Sequence, residues 1–450
     1  MKIVALNGLL GYGYSQEALE RVKKMKIDYF GVDAGSSDPG PFYLGNGTSF
    51  TNRSAVKRDL ELVLPHTILN KIPFIIGTAG GSGANVHVNW LLGIIKEIMN
   101  EQKITCNIAI IQTEVTKNYV IEKIRENKVI DLSPNLQLSE EVVKNCNRIV
   151  SQIGIDPFLE ALDSPKIDII LAGRACDTAI YAAPAIKAGY DPGLAFHMAK
   201  IMECGALCSV PMSASDIMIA EIEQDSFVLE PANMNRKCNV ERVAAHTMYE
   251  QNNPYFIYEP DGVVDLRESY YEQITDRSVR VKNSKFQEAK DKTLKIEGTK
   301  LEGYRTITIA GINDPLTIKN IDMMFSEVKK FVVENMINRI LPDEFNISLK
   351  KYGEVLPGNI SSDIPQCSLG IIIDVVAKTQ DLANTICALA RARMLHQDFE
   401  GRKTTAGNLA FPYSPSDIIC GPVYTFGIYH LVKAENLGET AKISYMKVGE

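Results

Sequence analysis

The sequence lacks the short motifs that identify several large enzyme classes. It contains no HExxH zinc-protease motif, no GxSxG nucleophile elbow and no protein-kinase signature. No Lys-Ser or Lys-Thr pair follows its glycine-rich stretches, so none of them is a Walker A loop. These absences exclude an assignment to those classes by motif.

The cysteines show neither the spacing of a disulfide framework nor that of a metal site. Their number is odd, nine, and no CxxC occurs. Cys204 and Cys208 are four positions apart, with no histidine close by in the sequence. Free thiols in a reducing cytosol fit this pattern better than disulfides.

The chain also lacks an excess of positive charge and any long apolar run. Its formal net charge is −7 and its sequence pI is near 5.6, which argues against a nucleic-acid or membrane-surface partner. No apolar run is long enough to cross a bilayer, and the first residues do not resemble a signal peptide. We therefore expect a cytoplasmic location.

Apolar runs and helical patterns alternate over the first half of the chain. This alternation predicts an α/β domain with a mostly parallel sheet over residues 1–300, in which residues 217–300 form an antiparallel extension. Residues 301–450 read as β-α-β-β-α-β, which predicts an α+β, ferredoxin-like domain. Within the first domain, residues 139–153 are predicted to be one helix.

Polar residues repeatedly follow the predicted strands of the first domain. They include Asn7, Asp33, Ser36, Asp38, Thr78, Ser82, Glu114, Arg174 and Asp177. The carboxyl ends of parallel strands meet at one edge of a sheet, where ligands bind in open α/β folds. The pattern therefore predicts a cleft at this edge.

Two glycine-rich loops are candidate binding sites for a small anion. One contains Asn7 and Gly8; the other contains Gly77, Thr78, Gly80, Gly81 and Ser82. Backbone N–H groups at the start of a helix favour a carboxylate or phosphate. Glycine equally permits tight turns between strand and helix, and both interpretations stay open.

Arg174 and Asp177 lie three residues apart on the turn after an apolar strand. Arg174 is the candidate clamp for a substrate carboxylate or phosphate, and Asp177 is a candidate base. The alternative is a structural ion pair with Asp177 capping the following helix. If Arg174 binds the substrate, its replacement by Ala should abolish binding and leave the fold intact.

Three further carboxylates, Asp33, Asp38 and Glu114, end neighbouring predicted strands. Gathered together, they would raise one another's pKa and supply a general base. The same oxygens would suit Mg²⁺ or Mn²⁺, and the sequence assigns no cofactor. Asp38 precedes Pro-Gly and is equally an ordinary turn residue.

His87, directly after the second glycine loop, is the best-placed histidine for proton transfer. The other histidines lie in helical or strand contexts typical of structural residues. Glu203 is a further candidate acid or base, whereas Cys204 ends a helix and is expected to pack.

Several segments closely resemble the acyclic terpene utilisation (AtuA-type) family. They are GRACDTAIYAAPAIKAGYD, MECGALCSVP, DAGSSDPGPFYLG, GTAGGSGANVHVNW, HTMYEQNNPYFIYEPDGVVDL, YRTITIAGINDPLTI and AGNLAFPYSPSD. The resemblance covers nearly the whole chain. It implies an N-terminal AtuA domain followed by a ferredoxin-like region, and it carries over no catalytic residues.

The family is named for gene clusters that degrade acyclic terpenes such as citronellol and geraniol through acyl-CoA intermediates. The resemblance therefore implies a catabolic enzyme for a small carboxylic acid or its CoA thioester, and we expect lyase or isomerase chemistry. The alternatives are a metal- or nucleotide-dependent transferase and a non-catalytic subunit of a catabolic complex. We expect a homo-oligomer or a small partner subunit.

Overall fold

A computed structural model of the chain describes residues 1–132, 136–164, 166–336, 344–353 and 368–449. It divides into two compact units, Met1–Lys300 with Phe426–Glu450, and Leu301–Thr425. The sequence analysis assigned all of residues 301–450 to one domain, whereas Phe426–Glu450 groups with the first unit. The chain is a mixed α/β protein with one large mixed sheet and several antiparallel sheets.

The strands of the described residues are, in chain order, β1 Lys2–Asn7, β2 Tyr29–Asp33, β3 Phe74–Gly77, β4 Cys106–Gln112, β5 Val129–Asp131, β6 Arg148–Gln152, β7 Ile169–Ala172, β8 Ser209–Val210, β9 Asp216–Ile222, β10 Ser226–Pro231, β11 Lys237–Cys238, β12 Phe256–Glu259, β13 Gly262–Asp265, β14 Tyr270–Gln273, β15 Val279–Lys282, β16 Lys285–Glu288, β17 Thr293–Ile312, β18 Phe345–Tyr352, β19 Leu369–Ala377, β20 Asp417–Lys433 and β21 Lys442–Val448.

The α-helices of the described residues are α1 Gln16–Lys23, α2 Phe42–Asn46, α3 Arg53–Leu69, α4 Asn85–Gln102, α5 Lys117–Arg125, α6 Glu140–Asn145, α7 Asp156–Ala161, α8 Ala179–Lys187, α9 Pro192–Met202, α10 Val240–Thr247, α11 Pro315–Lys319, α12 Ile321–Met336 and α13 Gln380–His396. None of them is long and apolar enough to cross a membrane.

Five parallel strands form the centre of the largest sheet, in the order β1-β2-β3-β7-β4. Their residues are almost entirely buried, as expected for strands covered on both faces. Antiparallel strands extend the sheet at both ends: β9, β10, β15 and β14 beyond β1, and β21 beyond β4. Four strands of the predicted antiparallel extension, β9, β10, β14 and β15, therefore join the same sheet, whereas β12, β13 and β16 form a separate three-stranded sheet.

Helices cover both faces of this sheet and create a topological switch at its centre. Helix α4, which follows β3, packs into the core on one face through residues such as Leu91 and Ile95. Helix α8, which follows β7, packs on the other face through Ile180 and Tyr181. The chain therefore leaves the carboxyl ends of the neighbouring strands β3 and β7 towards opposite faces of the sheet. In open α/β sheets such a point opens a crevice for ligands.

In the unit Leu301–Thr425, residues 304–312 of β17 pair antiparallel with β19, and β19 pairs antiparallel with β18. The strand order is β18-β19-β17-β20. Helices α12 and α13 pack against one face through an apolar core that includes Val328, Ile373 and Ile386. Residues 354–367 and the end of the helix predicted up to Ile337 lie outside the described residues.

The helix predicted over residues 139–153 is wrong in its second half. Helix α6 ends at Asn145, and Arg148–Gln152 forms β6, which pairs antiparallel with Lys295–Thr299 of β17. The partner strand lies about 150 positions away in sequence, so no local pattern could reveal the pairing.

Candidate active site

The turn after β7, Gly173 to Thr178, packs directly against the glycine-rich loop after β3. A Cβ atom added to Gly83 would lie 2.0 Å from the backbone nitrogen of Arg174, and the φ of Gly83 is +68°. The Thr78 hydroxyl group hydrogen-bonds to the backbone of Ala175 at 3.3 Å. The residues from Gly77 to Ala84 are all buried, including Gly80, Gly81 and Ser82. The loop therefore supports the turn by close packing.

Arg174 is buried in this turn and its charge is matched by protein carboxylates. Only 2% of the residue is exposed. Its Nε donates to Oε2 of Glu297 at 3.0 Å, and its Nη1 donates to the carbonyl of Ala175 at 3.0 Å and lies 3.7 Å from Oδ1 of Asp177. Burial opposes the positive charge, but these carboxylates raise the pKa of Arg174 above its ordinary value. Arg174 is therefore paired with protein groups in this structure, which favours the structural ion pair over the predicted substrate clamp.

Glu297 is the centre of a buried network behind Arg174. Its Oε1 accepts a hydrogen bond from the Ser37 hydroxyl at 2.8 Å and lies 2.8 Å from Nζ of Lys295. Burial opposes ionisation, but Arg174 and Lys295 lower the pKa of Glu297 to about 2. Glu297 therefore stays ionised and balances the positive charges of Arg174 and Lys295.

Asp177 lies on the open side of the same turn. Its side chain is 30% exposed, yet its Oδ1 is buried and makes no hydrogen bond within the described residues. Burial raises the pKa of Asp177, and the charge of Asp38 adds to the increase, while Arg174, Lys200 and Lys295 oppose it. A partly exposed carboxylate whose pKa is raised by burial can exchange a proton with a ligand.

Asp33, at the end of β2, is almost fully buried, and the carboxylate of Asp177 is one of its charged neighbours. Its Oδ1 accepts one hydrogen bond, from the backbone N–H of Gly35 at 3.1 Å. Burial raises the pKa of Asp33 well above its usual range, and the negative charges of Asp177 and Glu203 act in the same direction. Asp33 is thus held in its protonated, neutral form more readily than a solvated carboxyl group.

A second buried ion pair, between Lys200 and Glu203, lies beside these carboxyl groups. Nζ of Lys200 lies 2.5 Å from Oε1 of Glu203, and both side chains are largely buried at the end of α9. Burial raises the pKa of Glu203, although the neighbouring Lys200 opposes the change. This pair places a further carboxyl group and an ammonium group beside Asp177.

Glu259, at the end of β12, contributes the fourth carboxyl group of raised pKa. Its Oε2 accepts hydrogen bonds from the Thr178 hydroxyl at 2.7 Å and from the Cys176 thiol at 3.1 Å. Burial raises the pKa of Glu259 and, even more strongly, that of Cys176. The thiol is therefore a hydrogen-bond donor here, and its neutral form makes it a poor nucleophile.

Two buried polar atoms near the carboxylates have no partner among the described residues. One is the hydroxyl group of Tyr181, whose pKa is raised by burial and then by the charge of Asp33. The other is Oδ1 of Asn7, whose Nδ2 donates to the Met202 carbonyl at 2.6 Å. Unpaired buried polar groups are costly and uncommon in folded proteins. Such atoms also occur elsewhere in the described residues, but these two lie beside the carboxyl groups of the site.

We call this set of residues the acidic cluster. Its carboxyl groups and cations belong to Asp33, Asp177, Glu203, Glu259, Glu297, Arg174, Lys200 and Lys295. Carboxyl groups outnumber cations, five to three, so the cluster retains protons that a solvated set of carboxylates would lose. It can therefore both donate and accept a proton.

Both ring nitrogens of His87 form hydrogen bonds with backbone atoms. Nδ1 accepts a hydrogen bond from the Ala84 N–H at 3.2 Å, and Nε2 lies 3.2 Å from the Tyr43 carbonyl and 3.1 Å from that of Thr48. Burial lowers the pKa of His87, which favours the neutral ring. The arrangement gives His87 a structural role, unlike the predicted proton transfer.

Glu114 and Asp38 do not gather with Asp33 as predicted. Oε2 of Glu114 accepts a hydrogen bond from the backbone N–H of Asn85 at 2.8 Å, at the start of α4. Asp38 is exposed and accepts a hydrogen bond from the Ser36 hydroxyl at 2.7 Å within a local turn. Asp33 has Asp177, Arg174 and Glu203 as its charged neighbours, and the charge of Asp38 acts on Asp177.

The first glycine loop binds a carboxylate of the chain itself. The N–H groups of Gly11 and Gly13 donate to Oδ2 of Asp59 at 2.9 and 3.0 Å. Gly8, with φ +59°, lies where an added Cβ would be 2.6 Å from the Ala214 carbonyl oxygen. The loop's donors are thus used internally, although Asn7 at its start does reach the acidic cluster.

No group of three or more His, Cys, Asp or Glu side chains within the described ranges is arranged to hold a metal ion. Within the acidic cluster, Glu203, Glu259 and Glu297 are paired with cations or hydroxyl groups, whereas the hydrogen bond to Asp33 comes from the backbone N–H of Gly35.

Sequence reasoning missed Lys200, Glu259, Glu297 and Tyr181. The spacing of Lys200 and Glu203, three residues apart on one helix, was a usable signal for an ion pair. Glu259 lies in the short strand β12 and Glu297 in the 20-residue strand β17, and in both strands nothing local distinguishes a buried carboxylate from a solvated one.

The chain is thus an α/β protein with a buried cluster of charged side chains beside the carboxyl ends of β2 and β7. The family model described as "Acyclic terpene utilisation family protein AtuA" matches residues 52–406. The chain therefore belongs to the AtuA family, whose name associates it with the utilisation of acyclic terpenes. No curated protein and no solved structure matches the chain.

Proposed function

We propose that the chain is a catabolic enzyme that moves a proton on a small carboxylic acid or its acyl-CoA thioester, in a lyase or isomerase reaction. One observation carries the proposal: the largely buried Asp33 and the partly exposed Asp177 lie in one electrostatic cluster, and Oδ1 of Asp177, 3.7 Å from Nη1 of Arg174, makes no hydrogen bond within the described residues. Carboxyl groups whose environments separate their protonation states are typical acid–base pairs. Family membership supports the substrate class.

In this proposal Asp177 is the base, because three cations, Arg174, Lys200 and Lys295, favour its ionised form. It removes a proton from the carbon beside the carbonyl group, and the electron pair moves onto the carbonyl oxygen. Asp33, held protonated by burial, donates a hydrogen bond to that oxygen. Returning the proton to another carbon gives an isomer; expelling a β-substituent gives a lyase product.

Tyr181 and Arg174 support this chemistry in different ways. The unpaired Tyr181 hydroxyl is a second donor for the developing oxyanion, a kind of interaction that often supplies a large part of catalysis. Arg174 is a positioning residue, because it fixes the turn that carries Asp177 through its bonds to Glu297 and to the Ala175 carbonyl.

Hydrogen exchange tests the proposal without knowledge of the product. The purified chain is incubated in D₂O with a panel of acyl-CoA thioesters and free acids, and deuterium incorporation beside the carbonyl group is measured by mass spectrometry. We expect incorporation with at least one thioester and its loss in Asp177→Asn. Asp163→Asn, which changes an exposed carboxylate paired with Lys187, is the matched control.

Exchange that persists in Asp177→Asn would show that another group is the base. No exchange with any thioester or acid, in a folded protein, would contradict the proposed chemistry.

We also propose that the unit Leu301–Thr425 has a ferredoxin-like topology. The support is its β-α-β-β-α-β order, with α11 preceding α12, and its strand order β18-β19-β17-β20. An experimental structure of the chain would test this assignment, and a different strand order would overturn it.

A further inference from the structure

A polar groove lies beside the first glycine loop, outside the acidic cluster. Its volume is about 460 Å³, and its lining includes Tyr12, Ser15, Arg58, Ser215, Asn233 and Arg236. We call it the arginine groove. All of these residues belong to the first unit.

Two buried aspartates hold the arginines of the groove in place. Nε and Nη2 of Arg58 donate to Oδ1 of Asp59 at 2.8 and 2.7 Å. Nε of Arg236 donates to Oδ2 of Asp216 at 2.7 Å, and its Nη1 donates to the Pro211 carbonyl. Fixing a guanidinium group in advance reduces the entropy lost when it binds a ligand.

Each arginine retains donors that the protein does not use. Among the described residues, neither Nη1 of Arg58 nor Nη2 of Arg236 has a hydrogen-bond partner. The aspartates, in contrast, are saturated: Asp59 also accepts from Gly11 and Gly13, and Asp216 also accepts from the Asn233 amide at 2.9 Å. The groove therefore presents free N–H donors and few free acceptors, which suits an anion with several oxygens.

The groove and the acidic cluster share one loop and lie at the same edge of the sheet. Asn7, whose Oδ1 is unpaired, is the register partner of Asp216 in the pairing of β1 with β9. The chain from Asn7 to Ser15 thus begins at the acidic cluster and ends in the groove. A ligand with two separated polar ends could occupy both sites.

We propose that the arginine groove binds the phosphate groups of a nucleoside phosphate, with Arg58 and Arg236 as the phosphate-binding residues. The exposed ring of Tyr12 and the exposed side chain of Met234, which follows the lining residue Asn233 in sequence, suit a planar base. The source assigned here is the nucleotide end of coenzyme A, an assignment that rests on the proposed acyl-CoA chemistry. A free nucleotide shares the same chemistry.

Calorimetric titration of the full chain with coenzyme A, 3′-dephospho-coenzyme A, ADP and inorganic phosphate tests the groove. We expect coenzyme A to bind, and Arg58→Ala and Arg236→Ala each to weaken binding by about 10-fold or more, as for lost hydrogen bonds to a charged group. Arg125→Ala is the matched control, because Arg125 is also exposed and also pairs with a carboxylate, that of Glu140. Arg58→Lys, which keeps the charge and loses the planar donor fork, should bind with intermediate affinity.

Three results would overturn the proposal. One is the absence of binding by all four probes at millimolar concentration. Another is weakening by Arg125→Ala equal to that by Arg58→Ala and Arg236→Ala. The third is unchanged binding in both groove variants while their melting temperatures match that of the unmodified chain. If ADP binds more tightly than coenzyme A, the groove is still a phosphate-binding site, but its ligand is a free nucleotide.

A comparison of substrates separates this proposal from the proposed function. The unmodified chain is given an acyl-CoA and the matching acyl-pantetheine, which lacks the nucleotide, in the deuterium-exchange assay. A KM at least 10-fold higher for acyl-pantetheine supports both proposals. Exchange with equal KM values supports the acid–base chemistry and removes the groove as the coenzyme A site. Arginine-dependent binding without any exchange supports the groove and contradicts the chemistry.

Discussion

The guanidinium group of Arg174 and the carboxylate of Glu297 form a fully buried ion pair, with Nε 3.0 Å from Oε2. The two residues are 123 positions apart in sequence. Their pair ties the turn after β7 to the strand β17 and so holds Asp177 in position. A buried pair of this kind is weak evidence for net stability, but it is costly to break.

Glu297→Gln should destabilise the chain strongly, because it leaves the cations of Arg174 and Lys295 without their carboxylate. We expect the free energy of unfolding to fall by about 3–5 kcal/mol. Arg174→Ala should also be destabilising, contrary to the expectation from sequence that the fold would stay intact. Chemical denaturation followed by circular dichroism measures both losses.

The double variant Arg174→Ala with Glu297→Gln provides the control. Since each single change leaves an unpaired buried group, the double change should cost clearly less than the sum of the two. Simple additivity would mean that the pair does not interact as the distances indicate.

Asp261→Asn should change the pH dependence of stability. Burial raises the pKa of Asp261 from 3.8 to about 7, and its Oδ2 has no partner among the described residues. Between these pH values the folded state binds more protons than the unfolded state, so stability falls as pH rises from about 4 to 7. The variant lacks this loss and should melt at a higher temperature than the unmodified chain at pH 8, but not at pH 4.

Differential scanning calorimetry at several pH values tests this expectation. Asp163→Asn, at an exposed carboxylate, should leave the pH profile unchanged. A difference between Asp261→Asn and the unmodified chain that does not grow with pH would show that Asp261 does not titrate in this window.

Gly83→Ala should disrupt the contact between the glycine loop and the turn after β7. The new Cβ would lie 2.0 Å from the Arg174 backbone nitrogen, at a φ of +68°. Neither backbone can yield cheaply, so we expect a loss of folded, expressed protein. Gly93→Ala is the matched control: Gly93 lies inside helix α4 with no atom within 4 Å of the added Cβ, and alanine should stabilise the helix by about 0.5–1 kcal/mol.

Soluble expression and thermal melting compare the two glycine variants. Equal melting temperatures would mean that the loop and the turn can separate without cost.

The sequence predicted the parallel centre of the sheet well, because strands covered on both faces are continuous apolar runs ended by polar and glycine residues. Asp33 and Asp177 were recognised for this reason: each follows such a run. The pairing of β6 with β17 could not be predicted, because β6 is stabilised by a strand far away in sequence. The C-terminal β21 was missed for the same reason, since its partner β4 belongs to the first half of the chain.

The charges of the site were harder to predict than its position. Arg174 and His87 are residue types with frequent functional roles, and only their burial and their protein partners indicate a structural one. Glu259 has no local signal, because the strand that contains it becomes part of the site only through tertiary packing. Position in the sheet is a local property of the chain, whereas protonation depends on neighbours from several distant segments.

Asp33→Asn should raise the stability of the chain and lower its deuterium-exchange activity. Burial and the charges of Asp177 and Glu203 disfavour the ionised form of Asp33, so a neutral amide removes an unfavourable group. We expect a gain in melting temperature that grows as pH rises, together with a fall in deuterium exchange of about 100-fold or more, because the amide cannot donate a proton. The sign follows from the raised pKa: the folded state loses stability as pH rises from the unfolded value towards the folded one.

Tyr181→Phe completes this test, because it removes an unpaired buried hydroxyl group without changing the ring. Stability should be kept or increased, and exchange should fall through kcat with little change in KM, as expected when a donor acts on the transition state. A lower melting temperature in both variants, with exchange unchanged, would assign Asp33 and Tyr181 to the structure of the fold and leave Asp177 to act with Glu203 or Glu259. If Asp33 and Tyr181 are buried groups of the active site without complete hydrogen bonding, both variants should melt at a higher temperature and lose deuterium exchange.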